Sequence, residues 1–241
     1  MMKRILPFII SLLVFSAAGA QTNTQAVALY RSAIEYKSKY MFLEAIAALN
    51  RAIALDKKYD SAYTELADIY TKTSQVDLGV ATFKKAITMN PKNSIALFML
   101  GKVYRDTKPN YDTAIICFKS AIRIDSTNKE FFYSIAWSYN AKHVYDSAII
   151  YAVKALNIDN NYRSAYGELG HAYNQSKKYA EGIEQFNKHK LVSVVDLQYF
   201  YAGMCYTALK DKEGAMKEYE ALLKINEKMA TALKRSIDKI Q

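Results

Sequence analysis

The side chains of this chain with chemistry to offer are three histidines, two cysteines and a large set of aromatic, amide and basic residues. His143, His171 and His189 do not combine with Cys117, Cys205 or a carboxylate at the spacing of a metal site. No glycine-rich phosphate loop, nucleophile elbow or HExxH motif occurs. The expectation is therefore a protein that is not an enzyme and needs no metal and no cofactor. His171 reads as a binding or packing residue rather than a base. The chemistry left is recognition, through aromatic faces, amides and cations, and it depends on what places those groups side by side.

A repeat places them. Tyr36, Tyr70, Tyr104, Tyr139, Tyr173 and Tyr206 are separated by 34, 34, 35, 34 and 33 residues. Three residues before each stands Ala33, Ala67, Gly101, Ala136, Gly170 or Gly203, and seven before stands Leu29, Tyr63, Leu97, Phe132, Tyr166 or Tyr199. Downstream comes a second small series, Ala45, Gly79, Ala114, Ala148, Gly182 and Ala215. Four residues after it come Leu49, Phe83, Phe118, Ala152, Phe186 and Tyr219. Offsets of three, four and seven share one face of a helix, so each unit reads as two amphipathic helices. The small residues let the helices approach and the large ones fill the space between them. Five of the eight glycines sit at these packing positions. Units close on an apolar–Asx pair, Leu55-Asp56, Met89-Asn90, Ile124-Asp125, Ile158-Asp159 and Ile225-Asn226. Asx there stops one helix and helps to start the next.

These residues resemble the tetratricopeptide repeat (TPR). Tyr166-x-x-Leu169-Gly170-x-x-Tyr173 and Leu97-x-x-Leu100-Gly101-x-x-Tyr104 match its pattern closely. The resemblance runs from about Gln25 to Lys228 and implies an all-α fold, a right-handed α-solenoid of six helix-turn-helix repeats. The repeats fall at about 26–59, 60–93, 94–128, 129–162, 163–195 and 196–229, with a capping helix at 230–241. The apolar stripe of that cap, Ala230, Leu233, Ile237 and Ile240, begins within an amphipathic stretch that starts at Glu227. Repeat three carries one extra residue and Pro109, which predicts a longer turn between its helices. Repeat five is one residue short after Gly182. It has His189 where Ala is usual and Leu191–Val195 where an apolar–Asx exit is expected, which predicts a bend or an altered repeat interface there.

Composition agrees with this reading. A chain that is 51% hydrophobic is too apolar for intrinsic disorder. Its 8 Gly and 3 Pro are too few for an all-β protein rich in tight turns. Residues 1–20 read as a secretory signal peptide: Lys3 and Arg4, an apolar core from Ile5 to Phe15, then Ala18-Gly19-Ala20 and a mature start at Gln21. Residues 21–25 form a short linker. The apolar core is too short to span a bilayer, and the mature chain is expected to have no membrane span. Export places it in the periplasm if the cell has an outer membrane, and outside the cell otherwise. The formal net charge of +10 falls to +8 when Lys3 and Arg4 are lost. No run of five basic residues occurs, and nucleic acid is not an expected partner. Cys117 and Cys205 lie about three units apart in an elongated array, too far for a disulfide, so both are expected as free, partly buried thiols.

By resemblance, the first helix of each repeat lines a concave wall. The inward positions give a partner-binding groove of Phe98, Lys102, Arg105, Tyr133, Trp137, Asn140, His171, Asn174, Phe200 and Met204 in repeats three to six. Aromatic and Arg anchors dominate binding energy at interfaces. Asn can bond an extended backbone, and Lys102 and Arg105 can meet a carboxylate. Tyr30 and Ile34 stand where some TPR proteins carry a carboxylate clamp, so that clamp is not reproduced. The reading is an exported, non-catalytic interaction scaffold that binds a partner peptide or helix in the groove, within a cell-envelope assembly. Alternatives are a structural subunit using its convex face, or a carbohydrate- or lipid-binding accessory protein. Individual groove residues have a rival role in packing between repeats.

Overall fold

The structure, a computed structural model, describes residues 24–192 and 194–240. The expected signal peptide and residues 21–23 of the linker lie outside the described residues. Among these residues there are thirteen helices and no strand. They group into two compact units, one ending at Pro109 and one beginning at Asn110. The first holds α1 (24–38), α2 (Phe42–Leu55), α3 (Asp60–Lys72), α4 (Val76–Met89) and α5 (Ser94–Asp106). The second holds α6 (Tyr111–Ile124), α7 (Lys129–Ala141), α8 (Tyr145–Ile158), α9 (Arg163–Ser176) and α10 (Tyr179–Lys190). It continues through α11 (Asp196–Ala208), α12 (Lys212–Leu223) and α13 (Glu227–Ile237).

The repeating tyrosine marks how each first helix ends. Four residues after it stand Tyr40, Ser74, His143, Lys177 and Lys210, all with φ between 58° and 64°. The next residue's N–H reaches back to the tyrosine carbonyl: Met41 to Tyr36 (2.9 Å), Gln75 to Tyr70 (2.8 Å), Val144 to Tyr139 (2.9 Å), Lys178 to Tyr173 (3.2 Å) and Asp211 to Tyr206 (2.9 Å). The left-handed residue itself donates to the residue after the tyrosine, as His143 does to Asn140 at 2.9 Å. This is the Schellman closure, which satisfies carbonyls left open at a helix end. Repeat three lacks it. There the N–H groups of Thr107 and Lys108 both turn to the Val103 carbonyl, and the extra residue carries the chain through Pro109. The longer turn expected from the sequence is present, and it is where the first unit ends.

Second helices end on the Asx residues. Asp56, Asn90, Asp125 and Asp159 are extended, and each donates its N–H to the carbonyl four residues back. Their side chains then accept from the backbone two residues on, Lys58, Lys92, Thr127 and Asn161, at 2.9–3.0 Å. Repeat five has no such residue. Leu191 and Val192 instead donate to Lys188 and His189, and Leu191, Val192 and Val194 stay exposed. In place of the usual alanine, His189 is buried edge-on to the Tyr166 ring (5.5 Å) and bonded to Gln185 (2.8 Å). The Tyr166 hydroxyl also accepts from the buried Gln198 amide at 2.7 Å. The repeat interface at this point is therefore altered, with a buried imidazole and a buried amide where small and apolar residues are usual.

Within each unit, neighbouring helices pack in sequence, and each first helix also packs on the next: α3 on α5, α7 on α9, α9 on α11. Ala33, Ala45 and Ala67 in the first unit and Ala136, Ala148 and Ala215 in the second are buried at the contacts. A Cβ added to Gly170 would lie 2.2 Å from the Tyr201 ring, and one added to Gly203 would lie 2.5 Å from Leu233. Close packing explains both glycines. α13 packs on α11 as a further first helix would. It buries Ala230, Leu233 and Ile237 and turns a polar back outward, which is how a stacked array closes its core. Cys117 and Cys205 are buried thiols, neither in a disulfide.

Candidate functional site

Seven of the ten groove residues read from the sequence lie in the second unit, on α7, α9 and α11. Trp137 is half-buried and meets the Tyr111 ring edge-on at 5.9 Å. His171 is exposed beside Tyr145, with rings 6.3 Å apart. Tyr133 packs edge-on to Tyr162 at 5.6 Å. Asn174 is exposed. Phe200 and Met204 are half-buried against the cluster of Ala215, Leu222, Ala230, Leu233 and Ile237 that α13 completes. Asn140 is buried, and its amide donates to the Glu168 carbonyl (3.0 Å) and to Glu168 Oε2 (2.8 Å). It thus ties α7 to α9 and is not open on the wall. Tyr111 and Tyr145, the first residues of α6 and α8, were not among the residues singled out from the sequence. Their signal was the Tyr-Asp pair at the start of two successive second helices.

The other three residues, Phe98, Lys102 and Arg105, lie on α5 in the first unit. The Lys102 ammonium sits 5.8 Å from the Phe98 ring centre. The Arg105 guanidinium bonds Asp106 at 2.6 and 2.9 Å, and its side chain is only 12% exposed. The first unit also carries clefts at repeats one and two, outside the expected groove. One of about 370 Å³ is lined by Tyr30, Asp60, Thr64, Glu65, Asn90 and Asn93, among others. A second of about 490 Å³ shares Glu65 and is lined by Ile34, Lys37, Tyr40, Phe42 and Lys72.

Asp60 opens α3 ten residues before Tyr70, and Asp196 opens α11 ten residues before Tyr206. Both accept an amide from the Asx at the end of the same repeat: Asn90 to Asp60 Oδ2 at 3.1 Å, Asn226 to Asp196 Oδ2 at 2.6 Å. Asp60 Oδ2 also takes the Asn93 amide at 2.6 Å. The other oxygen differs. Asp196 Oδ1 is paired with the guanidinium of Arg163, the residue at the same offset one repeat earlier. One repeat before Asp60 that offset holds Ala26, which is buried and carries no charge. The Tyr30 and Tyr59 rings lie 5.2 Å apart beside this cleft.

Beside Glu65, burial raises the Asp68 carboxyl, but hydrogen bonds from Lys37 and Lys72 outweigh it and hold the group below the usual carboxylate range. In the second unit burial, with Lys188 adding to it, pushes the His189 imidazole down, so it stays neutral. Burial pushes the Cys205 thiol up to about 12, which leaves little thiolate at neutral pH. Among the described residues no three or more His, Cys, Asp or Glu are grouped to hold a metal ion. Among the described residues no helix is long and apolar enough to cross a membrane.

Family models described as tetratricopeptide repeat match residues 82–116, residues 60–93 and 164–188, and residues 199–226. A cell division cycle protein 27 homolog of Caenorhabditis elegans is 31% identical over 86 residues, 36% of this chain and 11% of that protein. Anaphase-promoting complex subunit 3 of Schizosaccharomyces pombe is 31% identical over 96 residues, 40% of this chain and 14% of that protein. The matches thus span a small part of these relatives. Among solved structures, Pseudomonas aeruginosa PilF is 15% identical with a TM-score of 0.65, covering 89% of this chain and 99% of that one. YrrB, a TPR protein with an unusual peptide-binding site, is 20% identical with a TM-score of 0.61, covering 78% and 98%. PilW, a type IV pilus biogenesis factor, is 15% identical with a TM-score of 0.62, covering 87% and 98%. The paired helices, the recurring tyrosine closure and these matches agree on the fold, an all-α TPR solenoid, with tetratricopeptide repeats matched at residues 60–116, 164–188 and 199–226.

Proposed function

We propose that this chain is an exported, non-catalytic scaffold that holds a segment of a partner protein on its first-helix walls. One observation carries the reading. At the position two residues before the repeat tyrosine, α7 and α9 present Trp137 and His171, with Tyr111 and Tyr145 beside them, and α11 carries the half-buried Met204. A row of aromatic, imidazole and thioether groups on successive helices suits a partner that lies along the row. Lys102 on α5 holds the same position in the first unit. YrrB, which shares the fold, has a peptide-binding site. Export rests on Lys3, Arg4, the apolar run and Ala18-Gly19-Ala20. An envelope setting is in keeping with PilW, a pilus biogenesis factor of the same fold.

Crosslinking in the native cell, with mass spectrometry of the co-purified proteins, tests this. Crosslinked peptides should come from α7, α9 and α11. Trp137→Ala with Asn174→Ala should reduce capture while leaving helicity unchanged. The fluorescence of Trp137, the only tryptophan, should shift on binding. Mass spectrometry of the mature chain should find Gln21 at its start.

A second reading has its own observation. Ile116 and Ile150 are 63% and 54% exposed on α6 and α8, where the equivalent residues of other repeats are Ala47, Ala81, Glu184 and Lys217. Exposed isoleucines on two successive second helices suit a structural contact through those helices. Crosslinks confined to α6 and α8 would favour it over the first.

A further inference from the structure

We infer that the first unit's cleft at Asp60 receives the arginine side chain of a partner segment. The inference rests on the scaffold reading and names what one stretch of its wall recognises. The chain contains its own precedent. Asp196 opens α11 as Asp60 opens α3, each is fixed by the exit asparagine of its repeat, and Asp196 is filled by the Arg163 guanidinium. At Asp60 both amides converge on Oδ2. The residue at the position of Arg163 is the buried Ala26, so no cation is supplied from that position. The helix start partly offsets the charge of both aspartates alike, so it does not account for the difference.

Asp60 lines the cleft of about 370 Å³, within the size range of ligand sites, ~300–1,000 Å³. Lys92 also lines it, and its other walls suit a guanidinium. Oδ1 of Asp60 offers a charge-assisted acceptor. Glu65 adds a second carboxylate nearby, shared with Lys37. The Tyr30 ring, set against Tyr59 at 5.2 Å, gives a flat aromatic face on which a guanidinium stacks better than an ammonium. The mature chain's net charge of +8, the full chain's +10 less Lys3 and Arg4, repels a strongly cationic partner at a distance. The fitting occupant is thus one arginine in an otherwise neutral or acidic extended segment, rather than a polybasic tract.

The test uses the whole mature chain, labelled with nitrogen-15. It is titrated with a blocked hexapeptide carrying one arginine among glycines and serines, and with the same peptide carrying citrulline, which keeps the shape and lacks the charge. The arginine peptide should shift the amides of Tyr30, Asp60 and Asn93 saturably and bind about tenfold or more tighter than the citrulline peptide. Asp60→Asn should erase that preference, and the exposed control Glu44→Gln should keep it. If circular dichroism shows that Asp60→Asn has lost helicity, Glu65→Gln takes its place and should reduce the preference. Equal binding of the two peptides, or a preference that survives Asp60→Asn, overturns the inference. Such a result with cellular crosslinks still mapping to the first helices removes the arginine site and leaves the scaffold standing. Arginine binding at Asp60 with crosslinks confined to α6 and α8 removes the scaffold reading instead.

Discussion

Asp60 and Asp196 begin equivalent helices in the two units, take the same kind of amide on the same oxygen, and still meet different partners. At Asp196 the preceding repeat supplies Arg163; at Asp60 it supplies Ala26. The backbone of the repeat fixes where the carboxylate stands, and one residue about 34 positions earlier decides whether its charge is used inside the array or left for something outside. Repeats of this kind thus turn a structural ion pair into a binding site by a single change of side chain.

The largest effect is expected at Gly170, where a side chain meets the Tyr201 ring. Gly170→Val should cost about 3 kcal/mol, and hydrogen exchange should show the loss in the second unit, with α1–α4 still protected. Next comes Arg163→Ala. It leaves Asp196 buried with only neutral partners, at a cost of about 2 kcal/mol once the half-exposed guanidinium is discounted. Asp60→Asn, which breaks no ion pair, should cost under about 1 kcal/mol. Urea unfolding of the two variants compares them directly, and equal losses would mean that the aspartates are not different after all.

Acid should separate the units as well. The folded pKa of His189 lies below its unfolded value, near 6.5. Its contribution is therefore complete above that pH and lost as pH falls, because the unfolded chain takes up the proton first. Asp68 is likewise lowered, from 3.8, so its contribution lasts until the pH falls below about 4. Between pH 6 and 4 the second unit should weaken while the Lys37–Asp68–Lys72 group of the first holds. Exchange rates corrected for pH would show this, and His189→Leu should abolish the difference. The smallest effect is expected at Gly167, where an added Cβ meets nothing within 4 Å. Gly167→Ala should stabilise α9 by up to about 1 kcal/mol, read as a small rise in thermal midpoint.

Much of the fold was legible because the packing rule is local. The tyrosine spacing marks the Schellman closures, the Asx residues mark the second-helix ends, and Ala230, Leu233 and Ile237 mark the cap. The residue added before Pro109 showed where that closure fails. The site was less legible, because side chains in different repeats decide it. Asn140 reads as open on the wall, yet Glu168, 28 residues on, takes its amide. Phe200 and Met204 read as groove residues, yet α13 gives them a core to pack against. Asp60 drew no notice from periodicity, since its environment depends on Asn90, Asn93 and the absence of a cation at Ala26.

The most direct measurement converts one unit's arrangement into the other's. Arg163→Ala frees Asp196, and Gly167→Tyr supplies an aromatic ring at the offset of Tyr30, where an added Cβ meets nothing within 4 Å. Calorimetric titration of the folded double variant with the single-arginine hexapeptide should give two binding sites per chain, against one for the unaltered protein. A stoichiometry that stays at one would contradict the account that an aspartate left without its internal cation becomes a place for an arginine from elsewhere.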